Sequence, residues 1–248
     1  MQAPKLGRFL SPKAASVTSR PATHSLLPSA SPVPWYMALG QRIATLWVVK
    51  MFGTTLGISG FFVVYFWVMH NPLREPTVMP LTPLDHWVGV NDEAMMLYGS
   101  LWFYISLAPA FAKDKAELLA CARDAALMAV VGLLVFCLFP TAVPAFAVDW
   151  SQYPSLQFLK ATDAGGNAFP SLHVAFAVFS AMVLARQLRS VRAPAWVRAL
   201  NLLWALGIVY STLATRQHVL LDVLGGTLLA FAVGWAGNTR GRLVWKEA

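Results

Sequence analysis

Six stretches of this chain are almost wholly apolar, and each comes close to the roughly twenty residues that a helix needs to cross the hydrocarbon core of a bilayer. They cover residues 51–69, 94–112, 118–139, 169–185, 197–213 and 219–235. Only 12% of the chain is charged and 57% is hydrophobic, against about 25% charged in a soluble domain. The expected fold is all-α: one integral membrane bundle of six transmembrane helices over residues 46–236. A disordered cytoplasmic tail is expected at 1–45 and a short cytoplasmic tail at 237–248. Trp67, Trp87, Trp102, Trp150 and Trp196 stand near run ends, as interfacial aromatic belts do.

A formal charge of +8 is compatible with nucleic acid, but the placement of the basic residues speaks for membrane orientation instead. Of the 19 Lys and Arg, all but Arg74, Lys160 and Arg216 fall in the N-terminal tail, the second–third connection, the fourth–fifth connection or the C-terminus. The positive-inside rule then puts both termini in the cytoplasm and leaves connections 70–93, 140–168 and the start of the sixth run outside. The expected setting is a bacterial inner (plasma) membrane. Residues 1–40 hold no Asp or Glu and are rich in Ser, Pro and Ala. No apolar core of signal-peptide length precedes residue 43, so a cytoplasmic tail is the reading, although an organelle transit peptide has a similar composition. Cys121 and Cys137 share one run; about 24 Å apart along a helix, they are too distant for a disulfide, which needs Cα atoms within about 7 Å.

Two polar knots open the fourth and sixth runs: Asn167-Ala-Phe-Pro-Ser-Leu-His173 and Thr215-Arg-Gln-His-Val-Leu-Leu-Asp222. Ionisable groups beside membrane-spanning runs are costly and so mark candidate sites. Pro170 suits the first turn of a helix, whose free N–H groups attract an anion. Ser171 would add a hydroxyl and His173 a proton donor one turn in. His218 and Asp222 share a helix face, so the carboxylate can fix the imidazole tautomer and free the other nitrogen for attack. Arg216 could fork onto two phosphate oxygens. The bland alternatives are a helix start whose His satisfies a carbonyl, a buried polar pair between helices, and a solvated loop arginine. Together the residues fit phosphoryl transfer through a phosphohistidine: His218 attacks, His173 protonates the leaving oxygen and Asp222 holds the imidazole. Gly225, Gly226 and Ala230 offer a small-residue surface for close helix packing.

These motifs resemble the type 2 phosphatidic acid phosphatase (PAP2) superfamily of membrane lipid phosphatases and phosphotransferases, over about residues 60–235. The family's Pro-Ser-Gly-His reads Pro170-Ser171-Leu172-His173. Its Ser-Arg, five residues, His, three residues, Asp is matched by Ser211, His218 and Asp222, with Thr212 where Arg is usual. The inositol phosphorylceramide synthase-like subgroup is the closer resemblance, through Phe169–His173, through Thr215-Arg216-Gln217-His218 with Asp222, and through Asp163 and Asn167 at their usual places. Phe139-Pro-Thr-Ala-Val-Pro144 looks like that subgroup's Pro-Thr-x-x-Pro segment. The family's first motif, Lys followed at a distance by Arg-Pro, is missing; Lys160 or Arg74 would have to replace its cation. The resemblance implies His218, His173 and Asp222 as catalytic, and Arg216, Ser171, Ser211 and Thr215 as phosphate-binding. Asn167, Asp163 and Lys160 would shape the substrate, with no metal or other cofactor.

The expected activity is hydrolysis of a phosphomonoester or pyrophosphate of an amphiphilic lipid at the outer membrane face. The alternative is a phosphotransferase passing the phosphoryl or head group to an alcohol. Two His and one Asp could ligate zinc, with only His86 as a remote further ligand. An intramembrane serine protease lacks a Gly-x-Ser-Gly pattern here and gives His173 and Asp222 no role. A transporter would show repeated halves, which the sequence does not.

Overall fold

The computed structural model describes residues 33–162 and 166–244. In chain order its elements are α1 (Trp35–Ala44), α2 (Trp47–His70), β1 (Thr77–Val78), α3 (Pro83–Trp87), α4 (Ala94–Gly99), α5 (Leu101–Ala110) and α6 (Lys115–Leu138). There follow β2 (Thr141–Ala142), a single 3-10 turn, α7 (Pro154–Thr162), α8 (Leu172–Ser190), α9 (Ala195–Ala214) and α10 (Leu220–Val244). Among the described residues, α2, α6, α8, α9 and the segment Leu220–Gly237 of α10 are long and apolar enough to cross a membrane.

The remaining apolar run, the second, forms the broken pair α4–α5, Ala94–Ala110, at the short end of the spanning range of about 17–25 residues. The break falls at Gly99-Ser100, a pair that tolerates kinking. Ser100 Oγ donates back to the Leu97 carbonyl at 2.7 Å and accepts the Trp204 indole N–H at 3.0 Å. The expected disordered tail is also corrected at its inner end, where Trp35–Ala44 is helical, and α10 runs on past residue 237.

α8 is the axis of the bundle. Of its most apolar window 61% is buried, against 6% for α2, and α5, α6, α9 and α10 all pack on it. Leu101, Tyr104, Met128, Phe136, Ala175 and Phe179 build the main core between these helices. On α10, Gly226 admits the Ser171 carbonyl and Gly225 the Phe169 ring where a Cβ would collide with each, so both helices meet closely at the start of α8. At the opposite end, buried Lys50 donates to the carbonyls of Arg42, Ala110 and Ala112 at 2.6, 3.0 and 2.7 Å. A cation thereby occupies the C-terminal carbonyls that the end of α5 leaves open.

The loops at the α8 start are tied by backbone pairing. β1 runs parallel to β2, Thr77 beside Thr141, and Thr141 then fastens the next segment. Its carbonyl accepts the Ala168 N–H and its Oγ1 the Phe169 N–H.

Candidate active site

The run at 169–185 opens its helix at Leu172, not at Phe169, and Pro170 precedes the cap rather than filling the first turn. The reason is that residues 168–169 are tied to Thr141, while Ser171 serves as N-cap with Oγ accepting the Val174 N–H at 3.2 Å. Ser171 is fully buried in that role. His173 follows as the second residue of α8. Tyr98 stacks on its ring at 4.0 Å and Trp102 meets it edge-on at 6.1 Å. These aromatics stand on either side of the Ser100 break, so the kink delivers two rings to one imidazole.

His218 is placed by the end of α9. The Arg216 N–H bonds the Leu213 carbonyl and the Gln217 N–H the Thr212 carbonyl, the paired bonds of a Schellman ending. Such an ending needs a left-handed residue, usually Gly; here it is Arg216, at φ 55°. Its side chain gives the reason for this choice. Its Nη1 donates to the Asp85 carbonyl at 2.6 Å and its Nη2 to the Val88 carbonyl at 2.7 Å, with Phe146 stacked at 4.6 Å. Both terminal nitrogens of Arg216, the expected fork on phosphate, thus donate to α3 and the residue that follows it.

Asp85 is the site residue that sequence reasoning missed. It is 2% exposed. Its Oδ1 accepts the Leu220 N–H at 2.8 Å, and its Oδ2 accepts both the N–H and the hydroxyl of Thr82 at 2.7 Å. The connection 70–93 is in this way strapped across the α9–α10 turn, and a fourth bond, from the Asn91 N–H to the Ala214 carbonyl, completes the strap. The Thr82-x-x-Asp85 capping pattern was a visible signal of the short helix, though not of its target.

Asp222 joins the two motifs. Its backbone carbonyl accepts the Ser171 N–H at 3.0 Å. Its fully buried carboxylate caps α10 through the Val219 N–H at 2.9 Å and lies 3.5 Å from His218 Nδ1. That leaves His218 Nε2 as the nitrogen free of the carboxylate. Both imidazoles line one cavity of about 330 Å³, together with Asn167, Tyr65, Tyr98 and a wall of Phe rings. Leu172 and His173 bring the positive end of α8 to the same space. Several buried polar atoms of the two motifs make no hydrogen bond: His173 Nε2, Arg216 Nε, both amide atoms of Gln217, His218 Nδ1 and Asp222 Oδ1; of these residues the two histidines line the cavity. Native interiors leave few such atoms, and His173 Nε2, unpartnered at the cavity wall, suits a polar guest there.

The other expected residues fall elsewhere. The Ser211 and Thr215 hydroxyls are buried and donate to helix carbonyls, of Ile208 and of Ser211. Thr212, at the place of the family arginine, donates to Val209. These three bind their own helix rather than facing the cavity. Asn167 does reach it, from a left-handed backbone at φ 54° and with Nδ2 donating to the Tyr65 carbonyl at 3.2 Å. Lys160 donates to the Arg216 carbonyl and lies over Trp150 at 5.3 Å. Arg74 rests over Phe139 at 5.7 Å, outside the cavity wall. Asp163 lies outside the described residues. Among those residues, no group of three or more His, Cys, Asp and Glu is arranged to hold a metal ion.

Apolar helices long enough to cross a bilayer, and paired imidazoles at the mouth of the bundle, define a membrane protein with an enzyme-like site. The family model of the PAP2 superfamily matches residues 80–236, more than half of the chain, and the chain belongs to that superfamily. No curated protein and no solved structure matches it. Membership supports a phosphatase-like function on lipid phosphates in general.

Proposed function

We propose that the protein is a metal-independent lipid-phosphate phosphatase working through a phosphohistidine. The observation that carries this reading is the single cavity lined by both His173 and His218, with Asp222 on the far nitrogen of His218. His218 Nε2 attacks phosphorus and the bond from phosphorus to the ester oxygen breaks. The leaving oxygen takes a proton from protonated His173. A water then attacks the phosphohistidine, gives its proton to His173, and phosphate departs from His218. Asp222 holds the His218 ring and balances its positive charge. Charge stabilisation by pre-placed groups dominates such sites, and the α8 N-terminus is the group at hand. Arg216 acts as a positioning residue.

The reading includes six membrane crossings, with α4–α5 as the short one, and a site on the outer face of a plasma membrane. Arg42, bonded to Ser190 at the end of α8 opposite His173, and the nearby Lys50 support that orientation through the positive-inside rule. The inositol phosphorylceramide synthase-like subgroup is the nearest pattern in the motifs.

The test is phosphate release by detergent-purified protein from a panel of phospholipid and polyprenyl phosphates with EDTA present. Release is expected from wild type and only background from His218→Ala. Near-normal rates in His218→Ala would overturn the mechanism, and release that requires an added alcohol would replace the phosphatase with a phosphotransferase.

A further inference from the structure

A second cavity, of about 350 Å³, lies deeper between α2, α5, α6 and α8. It shares Phe61, Trp102 and Phe176 with the two-histidine cavity, and Phe61 and Phe176 meet edge to face at 5.5 Å across that boundary. The two spaces thus adjoin across a partition of aromatic rings. The deeper one is walled by apolar side chains apart from a few polar groups such as Lys50, whose ammonium is held by three carbonyls.

We infer that the deeper cavity is a tail subsite: it takes the hydrocarbon chain of the phosphorylated substrate whose head sits between His173 and His218, and selects it by length. This inference rests on the phosphatase reading above. Three features speak for this occupant. The cavity adjoins the reacting one across the rings of Phe61, Trp102 and Phe176, between which a chain joined to the head would pass. Gly53, Gly57, Ala122 and Ala126 on its rim are exposed, so it opens sideways toward lipid and a tail can enter without being threaded. Its depth is the third. From Phe61 to Val49 the α2 wall descends about 18 Å at 1.5 Å per residue, more than half of a hydrocarbon core of about 30 Å. An ordinary chain of the outer leaflet ends near the midplane, whereas this groove continues past it. The geometry therefore favours amphiphiles whose chain is longer than one leaflet is deep.

Gly53 and Gly57 allow a clean test, because a Cβ at either meets nothing within 4 Å. Gly57→Phe, and Gly53→Leu as a second variant, add bulk at the rim of the groove from a Cβ that meets no neighbour. Two readouts are taken on a homologous series of linear alkyl phosphates and their non-hydrolysable alkyl phosphonates: kcat/KM for phosphate release, and affinity of the purified protein for the phosphonates. The tail leaves a micelle rather than water, so its gain is packing, and we expect about a tenfold rise from the shortest to the longest chain in wild type. In either variant that long-to-short ratio should collapse toward one. A wild-type ratio near one, or an equal ratio in wild type and both variants, would overturn the inference and leave the groove to bulk lipid. Length-dependent phosphonate affinity lost in the variants, with no phosphate released from any member, would uphold the tail subsite and remove the phosphatase reading instead.

Discussion

At the scale of single residues, Asp222 performs two tasks that one substitution separates. Its carboxylate accepts the Val219 N–H and also faces His218 Nδ1. Asp222→Asn keeps an acceptor for the cap but loses the charge and can present the wrong partner to the imidazole. The expected outcome is a folded protein with kcat lowered by about 10²–10⁴, measured beside the thermal midpoint in detergent. His173, His218 and Asp222 were legible in the sequence because their spacing along two apolar runs already placed them at corresponding helix ends. Arg216 was legible as a participant, but its partners were not. Two residues from His218, it looked free to meet a phosphate, yet its terminal nitrogens are held by the carbonyls of Asp85 and Val88. Ser211 and Thr215 were misread because a hydroxyl on an apolar helix can satisfy itself on the carbonyl three or four residues back.

At the scale of elements, the α3 strap and the close meeting of α8 with α10 hold the two motifs in register. Asp85 accepts three donors, and Asp85→Asn turns an amide N–H₂ toward some of them. A buried donor left without an acceptor costs about 1–3 kcal/mol, so the thermal midpoint should fall. kcat should fall with it as His218 loosens, since small misplacements are expensive in rate. Stability and kcat both at wild-type level would show that the strap has no hold on His218. Gly226→Ala drives a methyl into the Ser171 carbonyl. Overpacking costs about 1–3 kcal/mol or more, and the expected result is a lower unfolding midpoint with loss of activity. The strap was hidden from the sequence for a plain reason: Asp85 and Leu220 are 135 positions apart, and nothing local in either segment names the other. The Ser100 break was hidden too, because Trp204, whose indole donates to Ser100, is a residue of another helix.

At the scale of the whole molecule, apolar length decided the fold class, and the five long helices answer to five of the six runs. The second run departs from this pattern because its first half carries Gly99-Ser100, and Tyr98 and Trp102 on either side of that break meet His173. Orientation is open to direct measurement. Trp87, 82% exposed on α3, and Lys115, at the opposite end of the bundle, are sites for single cysteines. A membrane-impermeant maleimide should label Trp87→Cys in intact cells, and Lys115→Cys only after permeabilisation. The reverse result would turn the molecule over. The strap also exposes a weakness. It contributes no reactive group, yet it runs outside the bundle with Gly89 open to solvent between its anchors at Val88 and Asn91. One proteolytic nick there would leave every helix in the bilayer and both imidazoles intact, while the Arg216 guanidinium lost its fixed acceptors and the turn beneath it came loose. In the outward orientation proposed above, such an enzyme would be silenced from outside the cell by cutting a loop that lines no part of the two-histidine cavity.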